Sequence, residues 1–505
     1  MKKNVILFAA VACMALGTAL DANAGGLLTN TNANAAYVRQ MSQDGVIDIT
    51  GMYSNPAGIA FLNNGWHLAL SSQTAIQQRN IETTFPLFAF NQNDKDATHR
   101  FEGKAFAPVV PSFSVSYNKD KWSVGAHFGL IGGGGKCEFD KGLGSFEALY
   151  AGQIYSSVAT NVATQLATQA AQAYAAQAIP QYVAAGMTLE QAQAAVAEAA
   201  TAYGKQYAAE NLNATMAQAY QGYSLDAYMK GRSYYFGLQV GGTYKFTEDF
   251  AGYIGLRGVY ATCNYNGYVQ DVKYTVMGQT ADANADLALN ADQTGFGVTP
   301  IIGFDWKVCK EFNFAAKFEA PTKMNLKNKS EMNEYAQAQI AAGNATLGQF
   351  ADGAKVREDI PGFLAVGFQY SPIESLRLNA GVHEFFDKAA KKYGDKQKQV
   401  RSNTWEFTFG AEYDVCKLIT VSASYQTTQY DLYENYMNDL SFNLPNHMVG
   451  AGLRINATKR CNIDLGYMHT FYQDRTITTA TAAGPKTDNY VRTNDVIGVG
   501  VNLAF

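Results

Sequence analysis

The chain has 505 residues, a formal net charge of −4, 16% charged residues, 31 Tyr, 29 Phe, 46 Gly and only 11 Pro. The acidic balance excludes a nucleic-acid-binding protein, which would carry a basic face. Abundant aromatic residues and glycine with few charges suit alternating strands bounded by aromatic girdles, although a secreted β-solenoid or large β-sandwich shares that composition.

In chain order, the first predicted element is an export signal over 1–24. Lys2 and Lys3 precede an uncharged apolar run, Val5 to Leu20, and Ala22-Asn23-Ala24 supplies a small-x-small cleavage site, so the mature chain is expected to start at Gly25. The run is short for a membrane anchor, and the residues before Cys13 fit a lipoprotein signal poorly. No later segment is apolar over enough length for a transmembrane helix.

Residues 25–64 are rich in Asn, Ala and Gly and contain the turn signal Asn55-Pro56-Ala57-Gly58. They read as either a disordered tail or a plug. From there on the hydrophobic period is two. Strands are expected over 66–80, 107–117, 122–131, 232–246, 250–264, 295–306, 311–324, 359–370, 375–386, 402–413, 418–430, 446–456, 461–473 and 493–505. In the last, Ile497, Val499, Val501, Leu503 and Phe505 share one face, and Asn494, Val496, Gly498, Gly500 and Asn502 the other. In 405–413, Trp405, Phe407, Phe409, Ala411 and Tyr413 alternate with Glu406, Thr408, Gly410 and Glu412. In 461–471, Ile463, Leu465, Tyr467 and Phe471 alternate with Asn462, Asp464 and Gly466. Aromatic outer faces opposite small polar inner faces suit lipid outside and a wet lumen inside. The reading is an all-β transmembrane fold, an antiparallel outer-membrane barrel of about fourteen strands, whose even number closes the hydrogen-bond ladder. Short turns near 118–121, 247–249, 307–310, 371–374, 414–417 and 457–460 are expected in the periplasm and the longer loops outside. The final strand is expected to pair with the first near Trp66.

One long loop, 132–231, opens with Gly132-Gly133-Gly134-Gly135 and turns rich in Ala and Gln. Ile154, Val158, Val162 and Leu166 lie four apart on one helical face. Thr188 and Gln191 form a capping-box pattern, and Leu189, Val196 and Tyr203 repeat every seven. Two helices hinged near 180–187 are expected over the outer mouth, with a low-complexity surface loop as the alternative.

A polar N-terminal segment carrying Asn55-Pro56-Ala57, within Gly-Met-Tyr-Ser-Asn-Pro-Ala-Gly-Ile-Ala-Phe-Leu at 51–62, ahead of fourteen strands ending at Phe505, resembles the FadL family. These outer-membrane transporters carry long-chain fatty acids and other hydrophobic compounds and include the TodX-type aromatic hydrocarbon channels. The resemblance implies that 25–64 is a hatch in the lumen. It further implies that Asn55-Pro56-Ala57 faces an inward kink of the third strand, and that the kink opens the wall sideways into the membrane. Gly125, Gly129 and Gly132 are the candidates for that opening, since glycine within a strand marks a bulge or close backbone approach. Small residues relieving a crowded lumen is the competing explanation. The long Ala/Gln loop is a departure from anything the family pattern supplies, and no headgroup-binding cation carries over by position.

The inward faces also carry Arg257, Lys317, Glu319, Arg377, Glu406, Glu412, Arg454 and Asp464. They are expected to form a cross-lumen network. Arg257 and Arg377 are the candidates for holding a carboxylate headgroup, because Arg binds carboxylates bidentately. His127 and His383 face the lumen with no nucleophile pattern beside them, so no enzyme activity and no catalytic residue is expected. Cys137, Cys263, Cys309, Cys416 and Cys461 have no metal-ligand spacing, so neither a metal nor a cofactor is expected; Cys137 and Cys263 are a candidate disulfide. The expected partners are a hydrophobic small molecule and outer-membrane lipid, with the chain acting as a monomer. Passive uptake with lateral release is the first functional reading. A diffusion porin for polar solutes, and a surface adhesin or receptor using loop 132–231, are the alternatives.

Overall fold

The computed structural model describes residues 26–505, so the expected signal segment and its cleavage site lie outside the described residues. Eighteen strands make one sheet: β1 (Gly65–Thr84), β2 (Thr98–Lys119), β3 (Trp122–Phe139), β4 (Tyr220–Lys245), β5 (Phe250–Val276), β6 (Gln279–Asp282), β7 (Leu287–Lys307), β8 (Phe312–Glu319), β9 (Asn325–Met332), β10 (Lys355–Arg357), β11 (Phe363–Ile373), β12 (Leu376–Phe385), β13 (Thr404–Asp414), β14 (Ile419–Gln429), β15 (Asn446–Thr458), β16 (Cys461–Tyr472), β17 (Arg475–Thr481) and β18 (Gly484–Ala504). Fourteen of them are the staves of a closed antiparallel barrel. The short β6, β9, β10 and β17 extend the wall at its long-loop end. Closure comes from β1 on β18, in register from His67↔Ala504 to Thr84↔Thr487, and Phe505 donates its N–H to the Trp66 carbonyl at 2.8 Å. With no free edge, every stave exchanges main-chain hydrogen bonds with two neighbours, as a hydrocarbon environment demands.

The two faces separate as period two dictates. Trp405, Phe407, Phe409 and Tyr413 are exposed, and Glu406, Thr408 and Glu412 between them are buried in the lumen. Ile497 and Val499 point outward, and Asn494, Val496 and Asn502 inward. Trp66, Tyr117 and Trp122 pack in a row at the short-turn end, the first segment of an aromatic girdle.

Staves β1 to β5, β7 and β18 run further toward the long-loop end than expected, whereas β8 and β11 stop short of it, at Glu319 and Phe363. The run Gly132 to Gly135 belongs to β3, and β4 begins at Tyr220. The helical excursion therefore spans 140–219 rather than 132–231, because ladder partners on β4 extend β3 past its glycines. Within it, α2 (Gly144–Ala184) and α3 (Leu189–Ala219) form a hairpin; α1 (Ala35–Arg39) is a short helix before the barrel. Pro180 lies inside α2, and the chain reverses after Ala184, through Gly186 at φ +95°. The capping box at Thr188 forms, with the Gln191 N–H donating to the Thr188 hydroxyl oxygen and the Thr188 N–H to the Gln191 side chain. Ile154, Val158 and Val162 are buried and Leu166 is half-buried. The heptad expected through Leu189, Val196 and Tyr203 does not form the contact face. Val196 is buried and Leu189 exposed, because the helices meet along the small residues Ala192, Ala200, Gly204 and Ala208; Tyr203 lies at the exposed rim of that contact, its ring stacked on Tyr174 of α2 at 5.2 Å. A Cβ on Gly204 would lie 2.3 Å from the Ala167 carbonyl oxygen.

The base of α2 is fastened to the barrel mouth by Glu147. It is buried and accepts hydrogen bonds from Asn91 (2.7 Å), Tyr223 (2.8 Å) and His99 (2.9 Å). Beneath it Phe146, Tyr150, Phe85, Phe88, Met229 and Tyr265 belong to the largest apolar cluster. Cys137 and Cys263 are both buried and free; the three cysteines at the short-turn end are also free, Cys309 and Cys416 exposed and Cys461 half-buried. The expected disulfide fails on topology, since β4 runs between β3 and β5 and separates the two thiols.

A candidate lateral passage beside a plugged lumen

Residues 26–64 fill the lumen, and nearly all of them are buried. Three polar junctions hold them to the wall. In the first, Arg39 of α1 pairs with Glu412 of β13 (2.6 Å) and Asp464 of β16 (2.9 Å). Arg454 of β15 bridges the same Asp464 (2.8 Å) to Asp48 of the segment (2.8 Å). In the second, His383 of β12 lies between Glu406 of β13 (2.6 Å) and Asp44 of the segment (2.8 Å). In the third, Lys317 of β8 donates to the Tyr53 carbonyl (2.7 Å) and to Glu319 (2.8 Å). The Tyr53 ring stacks against Lys317 and Arg257, at 4.5 and 4.8 Å from its centroid. Burial pushes the Tyr53 phenol above the ordinary tyrosine range, and its O–H donates to the Asn30 carbonyl at 2.9 Å. Removing one member of such a buried pair leaves an uncompensated charge, at a cost of roughly 3–5 kcal/mol.

Asn55, Pro56 and Ala57 open a short 3-10 turn, Pro56–Phe61, capped by the Asn55 side chain. The turn does not face the kink of the third strand. Asn55 donates to Asp305 of β7 at 2.5 Å, so the turn is seated toward the short-turn end against β4, β5 and β7. What faces the kink is the start of the segment. Thr29 forms an antiparallel bridge with Gly132, and Asn30 donates to the Ile131 carbonyl at 2.8 Å.

That kink is where the wall parts. Between β2 and β3 the ladder runs from Lys119↔Trp122 to Phe113↔Phe128 and resumes only at Lys104↔Glu138. Residues 105–112 keep their partners on β1, with one bulge beside Thr74, yet have none on β3. At about 3.3 Å per residue the window is roughly 26 Å long. Its β2 rim carries Pro108 and Pro111, which lack the N–H a ladder needs and are confined to edges and bulges. Its β3 rim turns inward at Gly132, where a Cβ would lie 2.3 Å from the Leu28 carbonyl oxygen, and at Gly133, whose φ of +89° is costly for any other residue. Phe106 and Val109 on the rim are 60% and 66% exposed, and Leu70 and Ile76 on β1 also point outward, so the window opens among apolar side chains.

Of the glycines selected from sequence, Gly132 is at the kink. Gly129 lies at its lower edge, with His127 and the Ala33 carbonyl over its missing side chain, and Gly125 lies below, against Met52. His127 is buried, shares a hydrogen bond with Ser114 (2.9 Å) and packs on the Tyr53 ring at 5.3 Å. The two arginines proposed for a headgroup are already engaged. Arg257 is bidentate on Glu319 (2.5 and 2.8 Å) and donates to Gln239 (2.6 Å). Arg377 is bidentate on Asp414, at 2.7 Å through each nitrogen. Both arginines serve the cross-lumen network, so neither has its carboxylate-binding fork open. Sequence reasoning missed Pro108, Pro111, Leu28 and Asp44. The prolines were a readable signal, two breakers within a few residues of an alternating strand; the contacts of Leu28 and Asp44 were not readable.

Above the kink the interior is closely packed. Two small cavities meet at Tyr265, one with Phe146, Met229 and Leu289, the other with Tyr235, Leu326 and Phe350, and each has a volume of about 10 Å³, room for one water. Any larger ligand has to displace side chains of this cluster.

No family model and no curated protein matches the chain. Solved structures do. A Pseudomonas aeruginosa FadL homologue superposes with a TM-score of 0.62 at 12% identity, covering 95% of this chain and 100% of that one. The P. putida toluene transporter TodX superposes with a TM-score of 0.52 at 12% identity, covering 91% and 94%. A TodX deltaS2S3 mutant, described as a monoaromatic hydrocarbon channel, gives 0.52 at 11% identity over 94% and 99%. At such identities the likeness is one of fold, and the fold is that of the FadL family.

Proposed function

We propose, from the premise that this chain has the fold of the FadL transporters, that it takes hydrophobic small molecules up across the outer membrane and releases them sideways into the bilayer. The observation that carries this reading is the β2–β3 window, flanked by lipid-facing apolar residues. A second ladder break, at 295–300 of β7, is closed by residues 320–325, with Ala320 donating to the Pro300 carbonyl and the Lys323 and Asn325 carbonyls lying against Gly297 and Gly295. The lumen offers no straight exit, because residues 26–64 occupy it; in this reading they are a hatch, and the chain is a monomeric outer-membrane protein exported by a cleaved signal at 1–24. A porin for polar solutes would need that space open. The short turns then face the periplasm and the helical hairpin faces outward.

Physics favours a long-chain, fatty-acid-like ligand moving this way. Each CH₂ kept out of water is worth about 0.8 kcal/mol, which an aqueous exit would forfeit. Transfer from the apolar cluster beneath α2 through the window into lipid keeps the chain dry throughout. Binding and release need neither metal, cofactor nor covalent chemistry, so the proposal includes no catalytic step.

The test is to close the window. Between Phe113↔Phe128 and Lys104↔Glu138 β3 carries one residue more than β2, so replacing Pro108 and Pro111 by valine and deleting Gly133 lets the two strands pair in one register. Uptake of a fluorescent long-chain fatty acid into proteoliposomes is expected to fall at least tenfold, with normal barrel folding. Undiminished uptake in that variant would sink the lateral route.

A further inference from the structure

The outer face of β9 and β10 carries cations that the established fold does not use. Their level relative to the apolar belt can be read from β7. Its outward side chains run Trp306, Phe304, Ile302, Pro300, Val298 and Phe296, then turn polar at Thr294 and Asp292. From Phe296 to Trp306 that apolar run covers eleven residues, about 25 Å along the membrane normal for a tilted strand, which is the height of a hydrocarbon band. The register then places Lys327 opposite Thr294 and Lys329 opposite Asp292, just beyond the band. On the other side Lys355 lies directly opposite Lys327, and Arg357 opposite Asn325. Lys323 is lower, its carbonyl beside Gly297, and a lysine stem of that length snorkels up to the polar layer.

Lys323, Lys327, Lys329 and Lys355 are all exposed, while Leu326 and Asn328 between them point inward and are buried. The cations therefore face the bilayer side of the wall and not the lumen. Arg357 has its own carboxylate, Asp359 at 2.6 Å, and Lys329 faces Asp292 across the strand pair. Among the described residues no carboxylate lies within ion-pair distance of Lys323, Lys327 or Lys355. Like charges directly opposite one another on a sheet are destabilising, so the Lys327–Lys355 pair costs stability unless an anion joins it.

We propose that this lysine ladder binds the phosphates of a phosphorylated glycolipid in the outer leaflet, seating one such lipid against β9 and β10. The argument rests on the barrel lying in the outer membrane with its long loops outward, and it is independent of what the barrel transports. Phosphate monoesters stand at the depth the ladder occupies, and two of them answer three unpaired ammonium groups.

The experiment uses the full-length protein in detergent with diphosphoryl lipid A as the probe, and counts bound lipid by native mass spectrometry. Wild type is expected to retain lipid A, and monophosphoryl lipid A more weakly. The triple variant Lys323→Gln, Lys327→Gln, Lys355→Gln is expected to bind at least tenfold more weakly, while the triple Lys→Arg variant binds like wild type. Millimolar inorganic phosphate is expected not to displace the lipid. Unchanged binding in the glutamine variant overturns the proposal, as does displacement by inorganic phosphate, which would mark a site for a free anion. Heat-modifiable mobility on gels verifies that each variant is folded. Fatty-acid uptake is measured in parallel: if it falls in the glutamine variant while lipid binding persists, the ladder serves the transported ligand and the proposal fails.

Discussion

The two sides of the lumen hold the N-terminal segment in opposite ways. Toward β12–β16 it is tied by charge, through Arg39 on Glu412 and Asp464, Asp48 on Arg454, and Asp44 on His383. Toward β2–β4 its contacts are uncharged: main-chain hydrogen bonds at Ile131 and Gly132, the side-chain amides of Asn118 and Gln239 donating to the Ile59 and Met52 carbonyls (2.6 and 2.9 Å), and Met52 against Gly125. The first kind of contact is strong and unforgiving, since each group leaves a buried charge behind if its partner goes. The second can be remade by small backbone movements. A segment anchored on one side and merely apposed on the other can shift at the window without leaving the barrel.

The largest test of that contrast is Arg39→Met. It leaves Glu412 and Asp464 short of a cation, and we expect a loss of roughly 3–5 kcal/mol. The checks are a lower urea midpoint in micelles and new ohmic conductance in planar bilayers as the plug loosens. An unchanged midpoint and a silent bilayer would mean that the charged side is not the anchor.

Next comes the top of the anchored side. Asp387, in the loop after β12, is fully buried and accepts the Leu27 N–H at 3.2 Å. Burial pushes its carboxyl up from 3.8 to about 6, against weaker opposing pulls from Thr404, Lys392 and Leu27. A carboxyl whose pKa is higher folded than unfolded favours the folded state at low pH; that advantage is complete below about 4 and is lost as pH rises to about 6. Asp387→Asn should therefore stabilise the protein by up to roughly 3 kcal/mol at neutral pH and by nothing at pH 4. Urea midpoints at the two pH values decide it, and equal effects at both would contradict the assignment.

On the apposed side, Gly132→Val puts a Cβ within 2.3 Å of the Leu28 carbonyl oxygen. We expect a cost of about 1–3 kcal/mol from overpacking, with the charged junctions intact. Faster labelling of a cysteine placed at Leu28, with no new bilayer conductance, would separate this side from the other. The smallest effect belongs far from both. Thr188→Ala removes the cap of α3, at a cost of about 1 kcal/mol to the hairpin, read as faster proteolysis within 163–215 with unaltered uptake.

Much of the wall was legible in the chain. Each of the fourteen staves overlaps a segment marked by alternation, though several differ in length, the last pairs with the first at Trp66, and the helix break falls after Ala184 beside a capping box recognised at Thr188. The errors have a common cause. Gly132 to Gly135 read as the start of a loop because glycine breaks a strand locally, whereas β4 supplies partners on the far side. The seven-residue repeat of Leu189, Val196 and Tyr203 did not mark the whole contact: Leu189 is exposed and Tyr203 touches Tyr174 only at the rim, because close helix approach selected Ala and Gly for the centre.

By itself the sequence determined which side chains face out, how many strands close the ring and where its ends meet, because period two and strand capacity are local properties of the chain. Only the tertiary structure decided that Arg257 and Arg377 belong to the protein's own carboxylates, that Asn55 sits on Asp305, and that the ladder between β2 and β3 opens. Each of these depends on which distant strand or segment stands opposite, and a local pattern carries no record of its partner.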